Sequence, residues 1–309
     1  MLAAGDEFFA DRENLLLPER PEFRPHTFGN KGQMMDGWET RRRRGGPDGG
    51  VHPGAGDHDW AMIRLGVPGE VHGVLVDTAH FRGNYPPEIS VEGAELPGTP
   101  GPEELAAAAW RPLVARSKVR GHAANGYATV DRSRVTHLRL KQYPDGGIAR
   151  LRAHGVARPD QAWLAALGTF DLAALEYGGA VEGCSDRFFS DPANAIMPGR
   201  SRVMGEGWET RRRRGAGHDW LRLRLAGRGL IRAVEVDTAN YLGNAAGWVE
   251  LYGRDGEHGE WFELLPRLAL QPDTCHRLPL PHSRPVTHVR LDVLPDGGVA
   301  RLRLHGSLT

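Results

Sequence analysis

The sequence lacks most of the features by which whole classes of protein declare themselves. It has two cysteines, Cys184 and Cys275, in 309 residues. They are too few and too far apart for a disulfide framework or a thiolate zinc site, so both are expected as packed thiols of a reducing compartment. A bilayer span would need ~20 apolar residues in a row. The triplet Leu15–Leu17 falls far short, and "MLAAGDEFFADREN" places acids ahead of it, unlike a secretory leader. A cytoplasmic protein with no membrane partner is expected. Net charge is also lacking: Lys+Arg and Asp+Glu stand at 39 each, and aromatics make up only 7%. That balance argues against nucleic acid as a partner, although the chain twice writes four arginines in succession. Helical periodicity is scarce as well. "EELAAAAW" at Glu103 predicts one short helix, and "PDQAWLAALGTFDLAALEYGG" at Pro159 another, opened by Pro and closed by Gly.

What is present is a globular composition, 40% hydrophobic and 25% charged, in a chain long enough for two ordinary domains. It is also written twice. "DGWETRRRR" at Asp36 returns as "EGWETRRRR" at Glu206, "HDW" at His58 returns at His218, and "VDTAHFRGN" at Val76 returns as "VDTANYLGN" at Val236. "VTHLRLKQYPDGGIARLRAHG" at Val135 returns as "VTHVRLDVLPDGGVARLRLHG" at Val286. Order is kept while the offset falls from 170 to 160 to 151, so length changes lie between blocks. One is the Gly/Pro loop between Arg44 and His58, which the second copy shortens. The expected organisation is an N-terminal segment (1–25), a first repeat (26–157), a linker (158–180) and a second repeat (181–309).

Each repeat reads as β. "GVLVDT" and "LIRAVEVDT" are Val-rich runs, "ISVEGA" and "WVELYGR" alternate, and the final block predicts a hairpin about Pro-Asp-Gly-Gly. In "VARLRLHG", Val299, Leu302 and Leu304 break strict alternation once, which a bulge would explain. Short strands with frequent turns predict an all-β chain, two tandem jelly-roll sandwiches joined by a partly helical linker.

The arginine run is the chemical question. In an extended segment Arg41 and Arg43 face one way, Arg42 and Arg44 the other. Whichever pair turns inward must meet carboxylates, because an unpaired buried charge costs several kcal/mol, as a rough figure. Asp36, Glu39, Asp59 and Asp77 in one repeat, and Glu206, Glu209, Asp219 and Asp237 in the other, can supply them. Either the run is a structural ion network, or some guanidiniums clamp a small anion with their planar fork. "HDW" sets His58 beside Asp59 and His218 beside Asp219 at a strand entrance. "VDTAHFRGN" ends a strand with Asp77, His80, Arg82 and Asn84, where polar sites usually sit. No cofactor signature is present. A divalent metal is conceivable through His58, Asp59, Asp77 and His80, whose spacing matches no established zinc motif. The copies differ where His80 and Arg82 become Asn240 and Leu242.

These doubled blocks resemble those of the allantoicase family, the allantoate amidinohydrolases, from about Asn30 to the C-terminus. The resemblance implies a pair of galactose-binding-like jelly rolls and hydrolysis of allantoate to ureidoglycolate and urea in purine catabolism. Allantoate carries one carboxylate and two ureido arms on a single carbon, and breaking a C–N bond there requires proton transfer. His80, or His58 with Asp59, is the expected proton-transfer group, with Glu39 or Asp77 as partner carboxylate. Expected substrate contacts are Trp38, Arg41, Arg42, Arg43, Arg44, Arg82 and Asn84, with Glu209, Arg212, Arg213, His218 and Asp237 from the second copy. His80 and Arg82 have no match in that copy, so the first repeat is expected to carry the chemistry. The alternatives are a non-catalytic carbohydrate or small-anion binder, in which Trp38 and Trp60 could serve, and a metal-dependent amidohydrolase, for which no binuclear ligand set is evident. Exposed sandwich edges and "WFELLPRLALQP" at Trp261 suggest a homo-oligomer.

Overall fold

In the computed structural model, which describes residues 1–45, 50–281 and 284–309, each half of the chain is organised around one 19-residue strand. These are Asp59–Asp77 in the unit Met1–Val156 and Asp219–Asp237 in the unit Ala157–Thr309. The strand serves two layers. In the first unit its opening part pairs with Arg134–Tyr143 as far as Arg64 opposite His137, and the register then breaks before Gly69. Pro68, which has no N–H to give a ladder, lies in that break. Beyond it the strand pairs with Ala124–Ala128 and with Arg150–Ala157. One layer therefore contains Ala3–Ala4, the opening part, Arg134–Tyr143, Glu88–Ala94 and Arg111–Lys118, and the other contains the closing part with its two neighbours.

The core lies between the layers. Ile63, Val91, Leu113, Leu138 and Leu140 come from the first and Val74, Val76 and Leu151 from the second. The second unit repeats the plan: its long strand breaks register between Arg224 and Gly229 and then pairs with Cys275–Pro279 and Arg301–Leu308. Leu221, Leu251 and Val289 meet Val234, Leu302 and Leu304 in its core. The expected tandem jelly rolls are thus the observed fold. No helix among the described residues is long and apolar enough to cross a membrane.

Three local expectations are corrected. The final block is not a hairpin: Arg134–Tyr143 and Arg150–Ala157 both flank the long strand, on its opposite parts, and do not pair with each other. The intervening Gly147–Ile148 pairs instead with Trp38–Glu39, as Gly298–Val299 does with Trp208–Glu209. The broken alternation in "VARLRLHG" follows from this, because Val299 belongs to one pairing and Arg301–Leu308 to another. Finally, the helix at Pro159 runs only from Gln161 to Leu167, capped by the Asp160 carboxylate on the N–H of Ala162, and it stops at Gly168 with φ 70°. Phe170–Asp171 then pairs with the last strand, and a single 3-10 turn, Leu175–Tyr177, follows. The short helix at Glu103 is present as Pro102–Ala107.

The segment 158–180 therefore contributes a strand to the second unit, and the N-terminal segment contributes Ala3–Ala4 and the buried Leu15 to the first. Of the Gly/Pro loop between Arg44 and His58, residues 46–49 lie outside the described residues.

Both final blocks close on His-Gly for a steric reason. A Cβ on Gly155 would stand 1.9 Å from the carbonyl oxygen of Glu70, and one on Gly306 2.2 Å from that of Leu230, where the long strand passes closest. Gly155→Ala or Gly306→Ala is expected to destabilise its unit by more than about 1 kcal/mol. An unchanged melting temperature would show that the backbone yields without penalty.

Candidate active site

Three duplicated blocks converge at one end of each unit, and an aromatic ring joins them. Phe81, from "VDTAHF", is fully buried between Gly37 and Gly147; a Cβ on these glycines would come within 2.7 and 2.0 Å of its ring. Tyr241 occupies the same place between Gly207 and Gly298. The Gly before Trp and the last Gly of Pro-Asp-Gly-Gly are thus required by close approach to one ring. Trp38 and Trp208 lie beneath, fully buried, each donating its Nε1–H to a backbone carbonyl, Asp6 at 2.8 Å and Asp186 at 2.9 Å.

The arginines sort by parity. Arg41 binds the Asp6 carboxylate at 2.7 Å, and Arg43 binds Asp59 at 2.5 Å, with its own N–H on Asp145 at 2.7 Å. Arg211 with Asp186, and Arg213 with Asp219 and Asp296, repeat the arrangement. The buried member of each pair is the acid: Asp59 is 2% exposed, whereas all four arginines of the first run remain exposed. The expectation of an inward-turned arginine pair is corrected accordingly, since the long side chains reach in from the surface to neutralise buried carboxylates. Arg42 and Arg44, like Arg212 and Arg214, make no ion pair or hydrogen bond among the described residues.

Asp6 and Asp186 were missed by the sequence reading. The available signal was a further repeat, "DEFFADRENLLLPER" against "DRFFSDPANAIMPGR". Burial alone would raise the Asp6 carboxyl, but the N–H groups of Arg41 and Phe8 and the Arg41 guanidinium outweigh it and hold it below the usual range. Asp186 is held low in the same way by the N–H groups of Phe188 and Arg211 and by the Arg211 guanidinium.

Beside each arginine run opens a cavity, ≈ 350 Å³ in the first unit and ≈ 390 Å³ in the second. Their shared elements are Phe9 or Phe189 as an apolar wall and a carboxylate held by an amide, Asn84 to Glu39 at 2.8 Å and Asn244 to Glu209 at 2.7 Å. Burial pushes the Glu39 carboxyl up; Asn84 and the charge of Arg42 oppose the shift without cancelling it.

The cavities differ on their other walls. The first is lined by His80 and Arg82 and by Lys31 and Gln33 of the segment 20–35, which is shortened in the second unit. His80 has φ 70°; its Nε2 lies 3.1 Å from the carbonyl oxygen of Pro21, and its ring stacks on Phe23 at 5.8 Å. A carbonyl only accepts, so Nε2 carries the proton and Nδ1 the lone pair. Burial raises the nearby Asp36 carboxyl, but the Arg150 guanidinium and the N–H of Glu22 hold it low.

Of the residues singled out from sequence, Glu39, His80, Arg82 and Asn84 meet at the first cavity, with Arg42 beside Glu39. Glu209 and Arg212 line the second. Trp38 presents no surface to a ligand. Arg41, Arg43 and Arg213 are engaged by acids, and Arg44 is exposed outside the lining. Asp59 serves Arg43. Asp77 and Asp237 accept the N–H of Ala79 and Ala239, each at 2.8 Å, and so brace the turn that carries residues 80 and 240. His58 sits apart, with Nδ1 2.9 Å from the carbonyl oxygen of Gly56, and His218 pairs with Asp292 at 3.0 Å. The set His58, Asp59, Asp77 and His80 is therefore not assembled, and no group of three or more metal-binding side chains is found among the described residues.

Fold and site together define a protein of two jelly-roll repeats, each with a small cavity that presents an amide-bound carboxylate. Comparison with known proteins specifies it further. The allantoicase repeat model matches residues 1–158 and 170–309. A probable allantoicase of Streptomyces coelicolor is 60% identical over 100% of this chain and 83% of its own length. The allantoicase of Dictyostelium discoideum is 37% identical over 100% and 84%. The crystal structure of allantoicase from Saccharomyces cerevisiae superposes with a TM-score of 0.77 at 32% identity, covering 98% of this chain and 88% of that one. The chain belongs to the allantoicase family.

The parity of the arginine run predicts opposite behaviour for neighbours. Arg43→Ala strands the buried Asp59 carboxylate and is expected to cost on the order of 2 kcal/mol in thermal unfolding. Arg42→Ala, at a side chain with no partner, should stay within about 0.5 kcal/mol of wild type. Asp6→Asn removes a carboxylate whose folded-state pKa is depressed. Its stabilisation is therefore complete above the unfolded value of about 3.9 and disappears as pH falls through the lower folded value. The melting-temperature gap between wild type and this variant should narrow as pH falls below the unfolded value of about 3.9. A gap independent of pH would show that Asp6 acts through shape alone.

Proposed function

We propose that the protein hydrolyses allantoate to ureidoglycolate and urea, and that the cavity of the first unit is the working site. Membership of the allantoicase family along the whole chain carries the activity. The imidazole of His80, which lines the first cavity and has no counterpart in the lining of the second, supports the placement. No observation favours the binding-only alternative. Urea release from allantoate by the purified protein tests the activity directly, and its absence overturns it.

The reaction breaks one bond between the central carbon and a ureido nitrogen, forms a C–O bond to water, and moves a proton from water to the departing nitrogen. Glu39 is suited to deliver that proton. Burial favours its neutral form, and Asn84 donates to Oε1, leaving Oε2 for the acid hydrogen. His80 is suited to take the proton of water at Nδ1, since its Nε2–H is committed to Pro21. The cations around the cavity match a substrate carboxylate. The second cavity keeps the Glu209–Asn244 pair, but Asn240 and Leu242 stand at the positions of His80 and Arg82 and neither lines it, so it binds rather than turns over.

His80→Asn, which writes the second copy's residue into the first, should lower kcat by about 10² or more in a folded protein. Turnover near that of wild type would remove His80 from the chemistry. Glu39→Gln should abolish the alkaline limb of the pH–rate profile. Arg42→Ala should shift that limb to higher pH, because the charge removed is one that lowers the Glu39 pKa. A limb unmoved by either change would dissociate Glu39 from the acid role.

We also read the protein as a cytoplasmic homo-oligomer. Two free thiols suit a reducing compartment, and Phe262–Ala269 is an edge strand whose single neighbour among the described residues is Trp248–Arg254. Light scattering that returned the mass of one chain would refute the oligomer.

A further inference from the structure

We infer that His122 and Arg82 form a two-pronged clamp for the carboxylate of the substrate. This rests on the first cavity being the allantoate site. His122 was not singled out by any sequence pattern, and it lies outside the duplicated blocks. The fold nonetheless brings it to His80, whose backbone N–H donates to His122 Nδ1 at 2.8 Å while the two rings lie 5.5 Å apart.

That hydrogen bond determines the tautomer. A nitrogen that accepts from a backbone N–H holds a lone pair, so the single proton of the neutral ring is on Nε2. Arg82 Nη2 lies 3.1 Å from that same Nε2. A guanidinium only donates, so two donors face each other with no acceptor between them. Two donors placed this close are a ready site for an oxyanion, one oxygen accepting from Nε2–H and the same or its twin from the guanidinium fork. The carboxylate is the only anionic group of allantoate. His122 is exposed at the edge of the cavity that His80 and Arg82 line, so a carboxylate held between His122 and Arg82 sets the central carbon beside His80.

The second unit supplies the control. Its counterpart of His122 is Asp273, which accepts the N–H of Asn240 at the same 2.8 Å. Both residues of each pair have positive φ: 70° and 51° for His80 and His122, 69° and 46° for Asn240 and Asp273. Bracing this turn therefore needs only a short acceptor, and Asn and Asp suit left-handed backbone well. An imidazole reaching on to a guanidinium is more than the brace requires. Where the second unit has Asp273 it also has Leu242, so both prongs are missing together.

His122→Asn keeps an acceptor for the His80 N–H and removes the Nε2–H donor. The expected result is an unchanged melting temperature, a KM for allantoate raised about tenfold or more, and kcat within about threefold of wild type. Diureidomethane, which has hydrogen in place of the carboxylate, should inhibit wild type and variant with equal Ki. In Arg82→Leu/His122→Asn the loss should be smaller than the product of the single losses. An unchanged KM, an equal rise in the Ki of diureidomethane, or a fall in melting temperature that tracks the loss of activity would each overturn the clamp. Failure of the underlying reading looks different: Glu209→Gln would abolish turnover and Glu39→Gln would not, placing the chemistry in the second unit.

Discussion

A guanidinium laid on a buried carboxylate, Arg43 on Asp59 and Arg213 on Asp219, is the contact on which the site depends. The carboxylate starts the long strand that joins both layers, and the arginine belongs to the segment that walls the cavity. Neutralising the acid therefore ties the active end of each unit to its core. Arg41 on Asp6 and Arg211 on Asp186 add a second tie, to the N-terminal arm of each unit. Because alternate side chains of an extended segment point oppositely, pinning the odd arginines leaves the even ones without an acid partner among the described residues, and in the second unit Arg212 and Arg214 line the cavity. A run of four like charges is thus two structural residues and two available ones.

The long strand explains why the duplicated blocks lie so far apart in sequence and so close in space. It passes from one layer to the other at Gly69 and Gly229, and its end delivers "VDTA" to the same rim as "GWET" and "PDGG". Packing around Phe81 and Tyr241 then leaves no room for a side chain at four glycines. The scaffold is common to both units, and the units differ in sequence on the turn it holds up. Left-handed backbone at residues 80 and 240 accepts either histidine or asparagine, so the side chain can change there without disturbing the support.

The all-β character, the duplication and the positions of Glu39, His80, Arg82 and Asn84 were legible from residues alone, because alternation and repetition are local properties. The roles of Trp38, Asp77 and His58 were not. Trp38 has the composition of a ligand-stacking residue and the environment of a core residue, and only its burial distinguishes the two. Asp77 lies at a strand end, as site residues do, but its carboxylate is spent on a backbone N–H two residues on. The expected hairpin failed for a similar reason. Two alternating runs about Pro-Asp-Gly-Gly look alike whether they pair with each other or flank a third strand.

The sequence by itself determined that two copies of one β module stand in the chain, that any arginines of the run drawn toward the core must be met by acids, and that the copies differ at residues 80 and 82. Periodicity, charge balance and self-comparison need no coordinates. Only the tertiary structure decided which acid meets which arginine, that Asp6 and Asp186 take part, and that His122 comes to lie against His80 and Arg82 from 40 residues away along the chain. Those pairings are made by strands distant in sequence crossing at one rim, and long-range proximity of that kind leaves no periodic signal in the residues that achieve it.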